Sequence, residues 1–205
     1  AEVPARYLFC DEINREGWVT NAREGDRVKL ALARLTSYAD ISKAYIVSSP
    51  TDQGASAITE WFEKGTQEHY HVPCPHCGHL HELLIDNFRW SMSDDHDGVA
   101  RAWFVCPECG CEIDEHHKST LLPDEAMGGQ ARWIATSPGD GETISVTLSA
   151  FYAPLGHITW RSLAKEYVEA KEAKERGDHT AMQVFVNTRL ALDYDPSEIT
   201  STAQA

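Results

Sequence analysis

Two patterns in this chain place chemically capable side chains at useful spacings. The first is a pair of CxxC turns, CPHCGH with Cys74 and Cys77 and CPECGC with Cys106 and Cys109, each followed by glycine. A CxxC turn aims two thiolates at one point, and the glycine lets backbone amides face the sulfurs. Two such turns supply the four soft tetrahedral ligands of a structural Zn2+ and leave no open position for catalysis. The same cysteines would otherwise be two disulfides or free core thiols, and His76, His79 or Cys111 could each replace one ligand. The second pattern is RYLFCDEIN, residues 6–14, an apolar run that stops at Asp11 and Glu12. In phosphate-hydrolysing P-loop proteins a buried strand ends in an Asp that holds Mg2+, and a neighbouring carboxylate orients the attacking water. An acidic turn after a strand is also common, so the pair alone leaves both readings open.

The elements that must position these residues follow from periodicity. ARYLFC reads as a fully buried strand, and residues 26–38, with Val28, Leu30, Leu32 and Leu35 apolar, read as a helix. KAYIVSSPT, residues 43–51, reads as a second strand ending in small hydroxyls and proline, which a parallel sheet would deliver to the same rim as the acids. HYHVP, HLHELLI and RAWFV alternate about the two cysteine turns as a small ribbon. The 28 residues between the cysteine pairs include SDDHDG, residues 93–98, a tolerant loop tip. Residues 141–154 suggest a further strand, Thr159 opens a helix that Gly177 closes, and a last helix covers about 179–191. The clustered His69, His71, His116 and His117 read as surface or strand-lining residues. The fold class is α/β with a zinc ribbon inserted into the larger domain.

Composition bounds the function. With 42% hydrophobic and 24% charged residues in 205, the chain has the make-up of an ordinary globular protein. No apolar run approaches the roughly 20 residues of a membrane span. The net charge of −14 argues against a free-standing nucleic-acid binder and predicts feeble binding of duplex DNA by the chain alone. RSLAKEYVEAKEAKER, residues 161–176, mixes both signs as a solvated helix face does.

The order RYLFCDEIN, IVSSPT, VPCPHCGH, FVCPECGCEIDEHHK, ARWIAT, FYAPLGHITW and FVNTRLAL resembles the large terminase subunit of tailed bacteriophages and prophages, GpA type, from residue 5 to about 192. The resemblance implies part of an ATP-driven viral DNA packaging motor and endonuclease. It implies a partial P-loop NTPase (RecA-like) parallel sheet, Asp11 as the Mg2+ residue with ATP, Glu12 as the catalytic carboxylate, and Ser48, Ser49 and Thr51 as the motif coupling hydrolysis to movement. Implied partners are viral double-stranded DNA, the small terminase subunit and the portal, in a homo-oligomer in the cytoplasm of a bacterial host, with no membrane. The expected division is 1–66 ATPase core, 67–133 zinc ribbon, 134–192 return to the ATPase core, and 193–205 a disordered tail or linker. No GxxxxGK[ST] loop occurs in the 205 residues. The phosphate cradle is therefore expected upstream, the nuclease downstream, and the chain alone inactive. Ile144, Ser145 and Val146 stand where a Gly-Phe-His-like turn is expected. The competing reading is a zinc-ribbon module that binds DNA or protein without catalysis.

Overall fold

The structure, a computed structural model, describes residues 3–18, 25–93 and 98–195. Residues 94–97 of the expected loop tip and residues 196–205 of the expected tail lie outside the described residues. The chain enters as strand β1 (Tyr7–Asp11), followed by helix α1 (Arg27–Leu32). Asp26 caps α1 by accepting from the backbone N–H groups of Val28 and Lys29, which occupies donors a helix start leaves orphaned. The helix expected over 26–38 then tightens into a 3-10 segment, Ala33–Tyr38. Strand β2 (Lys43–Val47) runs parallel to β1, with Tyr7 opposite Lys43 and Asp11 opposite Val47. It is shorter than the stretch 43–51, because from Ser48 onward the polar groups turn toward the end of β1. Helix α2 (Ala57–Lys64) follows.

This two-stranded parallel sheet is covered on one face only. Cys10, Ile13 and Val28 form its buried core, with Leu8, Ile46, Ile58 and Trp61 packed against them. On the other face Phe9 stacks on Tyr45 at a centroid distance of 5.0 Å, and Tyr7, Phe9, Tyr45 and Val47 stay exposed. The expectation of a fully buried first strand is corrected accordingly: successive side chains alternate faces, and a single layer of helices shields only Leu8 and Cys10.

The middle of the chain is antiparallel. It contains β3 (Glu68–Pro73), β4 (Leu80–His81), β5 (Phe88–Met92), β6 (Val99–Val105) and β7 (Glu112–Asp114). The short helix α3 (Lys118–Leu121) and strands β8 (Arg132–Ala135) and β9 (Val146–Thr147) come next. One sheet has the order β4-β3-β8, with β9 joined in parallel to β3, and the other has the order β5-β6-β7. The strand expected over 141–154 contracts to the two residues of β9. Its neighbour Ser145 acts as a staple: the hydroxyl donates to the Phe62 carbonyl at 2.7 Å and accepts from the Gln67 N–H at 2.8 Å. Gly65 permits this approach, since a Cβ there would lie 2.5 Å from the Ser145 hydroxyl.

Two helices close the chain, α4 (Trp160–Glu175) and α5 (Thr180–Phe185), the latter running on as a wider π turn over Val186–Leu190. Thr159 and Ser162 form a reciprocal capping box at the start of α4. Trp160, Leu163, Ala164, Tyr167 and Ala170 give α4 one buried stripe. That stripe meets the ribbon. A single core joins Val72, Phe88, Phe104 and Ile113 of the strands to Phe151, Trp160, Leu163, Tyr167 and Phe185. The segment expected to rejoin the ATPase core thus sets β8 and β9 beside β3 and packs α4 and α5 in the core of the ribbon.

Candidate functional site

The two knuckles are built alike. The Cys74 N–H donates to the His79 carbonyl at 2.8 Å and the Cys106 N–H to the Cys111 carbonyl at 3.0 Å, closing each CPxCG turn; Gly78 and Gly110 both adopt positive φ. His79 and Cys111 thus serve the turns through their backbones. The sulfurs of Cys74, Cys77, Cys106 and Cys109 lie within 4.8 Å of one another, with Cys74 to Cys109 and Cys77 to Cys106 both at 3.8 Å. Four sulfurs held about 2.3 Å from a central ion in a tetrahedron are about 3.8 Å apart, so the cluster fits Zn2+. A disulfide requires about 2.05 Å, and all six cysteines are free thiols. Burial pushes the Cys74 thiol up, whereas the Cys111 backbone N–H holds Cys109 down to about 6. Four sulfurs this close, with Cys74 and Cys106 buried and Cys77 and Cys109 exposed, need a cation before all can be thiolates.

The histidines find other partners. His69 Nδ1 lies 2.9 Å from Glu82 Oε2, and His71 Nε2 lies 3.9 Å from the other carboxylate oxygen. The rings of His116 and His117 are 4.0 Å apart. Among the described residues, the four cysteines are the one cluster of metal-ligating side chains with suitable spacing.

The acids lie at the end of β1, on the rim where β2 also ends. Glu12 has φ +54, a left-handed conformation that costs a non-glycine residue about 1 kcal/mol or more and that clusters at functional sites. Its N–H donates to the Val47 carbonyl at 2.8 Å, and its carboxylate receives the Arg15 guanidinium at 3.0 Å. Trp18 Nε1 donates to the Asp11 carbonyl at 2.9 Å. The loop after β2 is brought to this turn by Asn14, whose N–H reaches the Ser48 hydroxyl at 3.3 Å and whose side-chain amide donates to the Ser49 carbonyl at 2.7 Å. Thr51 sits further along and accepts the Tyr194 N–H at 3.0 Å. Asp11, Glu12, Ser48 and Ser49 therefore share one rim, and Thr51 faces the chain's far end.

The profile described as phage terminase large subunit gpA, ATPase domain, matches residues 1–133. The chain belongs to the phage terminase large subunit gpA family. A second profile, terminase large subunit gpA, endonuclease domain, matches residues 143–205. No curated protein and no solved structure gives a match. The endonuclease match overturns the expectation that this chain lacks the nuclease: β9, α4 and α5 of this gpA chain lie in it. Helices α4 and α5 present no compact acidic motif, and their apolar periodicity is that of any packed helix. Among the described residues no helix is long and apolar enough to cross a membrane. Sequence reasoning also missed Asn14, Ser56, Thr59 and Asp193. Asn14 stands three residues after Asp11 and was legible as a neighbour, whereas Thr59 and Asp193 are 134 positions apart and nothing local links them.

Proposed function

We propose that this gpA chain supplies the acid turn and coupling loop of an ATP-driven DNA packaging motor, a zinc ribbon over residues 67–133, and residues of the associated endonuclease. In this reading the ATPase part is a partial RecA-like sheet. Asp11 helps hold Mg2+, Glu12 orients the attacking water, and Ser48, Ser49 and Thr51 form the loop that responds to hydrolysis. The observation that carries it is the shared rim: parallel strands β1 and β2 deliver Asp11, Glu12, Ser48 and Ser49 to the same edge, where ligands of open parallel sheets bind. The bare face bearing Phe9 and Tyr45 supports a sheet meant to be covered on both sides. Viral duplex DNA, the small terminase subunit and the portal are the partners, met by several copies of the chain in the host cytoplasm.

Mg2+ in such sites is shared with substrate phosphates, whose charge it neutralises. The acids fit that role, being adjacent and on a strand end. Because the 205 residues carry no GxxxxGK[ST] loop, the chain by itself turns over no ATP. In full-length terminase, Glu12→Gln should lower kcat by roughly 10²–10⁴-fold and leave nucleotide binding largely unchanged, since the lost group acts mainly in the transition state. Near-normal turnover in that variant, measured by phosphate release, would sink the assignment.

A further inference from the structure

The acid turn is wired to the endonuclease-matching residues through a chain of hydrogen bonds that the family match does not assign. Asn14 uses both its amide protons: its side-chain amide donates to the Ser49 carbonyl at 2.7 Å and to the Ser56 hydroxyl at 3.2 Å, and its carbonyl oxygen accepts the Ile58 N–H at 3.3 Å. Ser56 is buried, 4% exposed, and its hydroxyl oxygen lies 2.9 Å from that of Thr59. Thr59 in turn donates to the Asp193 carboxylate at 2.8 Å. A hydroxyl has one proton. With the Thr59 proton committed to a carboxylate, Ser56 must donate to Thr59, so all the bonds run one way, from the Asn14 amide to the Asp193 charge. Bonds aligned in this sense reinforce one another, and the last is charge-assisted.

The receiving end is itself fixed to the coupling loop. The Tyr194 N–H donates to the Thr51 carbonyl at 3.0 Å, and the Gln53 N–H donates to the Tyr194 carbonyl at 3.2 Å. Tyr194 is 4% exposed, and its hydroxyl lies 3.0 Å from His179 Nδ1. Gln183 on α5 donates to the Asp52 carboxylate. The loop over 48–56 is therefore clamped between the acid turn on one side and residues 179–194 on the other.

We infer that Asn14 is a positioning residue that sets the register of the Ser48–Ser49 loop against Asp11 and Glu12 and transmits it, through Ser56 and Thr59, to Asp193 and Tyr194. Its relevance to motor and nuclease rests on the proposed function, but the linkage itself is a property of the chain. A shift of the acid turn reaches the endonuclease-matching segment by this route, and a shift there returns by the same bonds, because coupling between sites is reciprocal.

The test is residue-resolved hydrogen exchange on the 205-residue chain without nucleotide, read at the Tyr194 and Gln53 amides, with the Phe104 amide of the ribbon as reference. Asn14→Ala should raise exchange at Tyr194 and Gln53 by about five- to tenfold, as the loss of one net hydrogen bond would, with the reference unchanged. The near-isosteric Asn14→Asp keeps the acceptor for Ile58 but has no amide to donate, and should fail in the same way; a residue needed only for packing would be rescued by it. Thr59→Val preserves shape and should loosen Asn14 in return, whereas Asp193→Asn retains an acceptor but loses the charge assistance and should raise Tyr194 exchange less than Thr59→Val does. Unchanged Tyr194 exchange in Asn14→Asp and Thr59→Val, or an equal rise in the ribbon, overturns the inference. Failure of the motor reading is distinguishable, because it shows only in phosphate release by the full-length protein and its Glu12→Gln variant.

Discussion

Replacing Phe104 by alanine tests whether the ribbon and the C-terminal helices are one folding unit. Phe104 has no exposed surface, and its ring meets Phe88 at 5.0 Å, Phe151 at 5.0 Å and Trp160 at 4.8 Å between centroids. Phe-to-Ala changes in cores cost about 3–5 kcal/mol, the cost rising with the cavity that fails to collapse. Collapse is obstructed here. Trp160 is pinned by its indole N–H to the Phe151 carbonyl at 2.9 Å and by its backbone N–H to Glu115 at 2.9 Å, and the Phe88 and Phe151 rings already touch at 4.8 Å. The upper half of the range, about 4 kcal/mol, is therefore expected, a large share of the roughly 5–15 kcal/mol that holds a domain together. Phe104→Leu keeps most of the volume and should cost about 1.5 kcal/mol or less. Urea unfolding followed by far-ultraviolet circular dichroism for α4, and by thiol reactivity for the knuckles, should give coincident transitions, both displaced in the alanine variant. A loss below about 3 kcal/mol, the floor for such substitutions, or two separate transitions with the thiols unaffected, would refute a shared core.

Two further outcomes are expected. Protein purified under reducing conditions should contain one zinc per chain by elemental analysis; chelation or Cys77→Ser should remove it and lower the melting temperature, and absence of stoichiometric zinc would exclude the structural site. Lys118, with a fully buried side chain, pairs with Glu115 at 2.9 Å and lies 5.0 Å from the Trp160 ring centroid, and burial pulls its ammonium below the ordinary lysine value. Between that lowered value and the unfolded value of about 10.4 the unfolded chain binds more protons, so this group makes stability rise with pH across that window. The difference in stability between wild type and Lys118→Met should change in wild type's favour as pH rises there, and a pH-independent difference would contradict the assignment.

The cysteine spacing by itself foretold the four-cysteine cluster. A CPxCG turn is local, its backbone bonds close within six residues, and two such turns have few ways to meet other than around one ion. The helix start at Thr159 was legible for the same reason: a cap depends on neighbours within one turn, whereas the reading of residues 161–176 as a solvated face missed the buried stripe from Trp160 to Ala170. The sequence also placed Asp11 and Glu12 at a strand end, since the change from apolar to acidic is itself local. Which surface each element covers was decided only by the tertiary structure. Nothing in ARYLFC distinguishes a strand covered on both faces from one with Phe9 bare, and nothing in the period of α4 says that its stripe meets Phe104 rather than the parallel sheet. The line from Asn14 through Ser56 and Thr59 to Asp193 is less legible still. It uses common polar residues, each unremarkable alone, and pairing across 134 positions becomes specific only once folding has brought these part-buried groups within hydrogen-bond reach of one another.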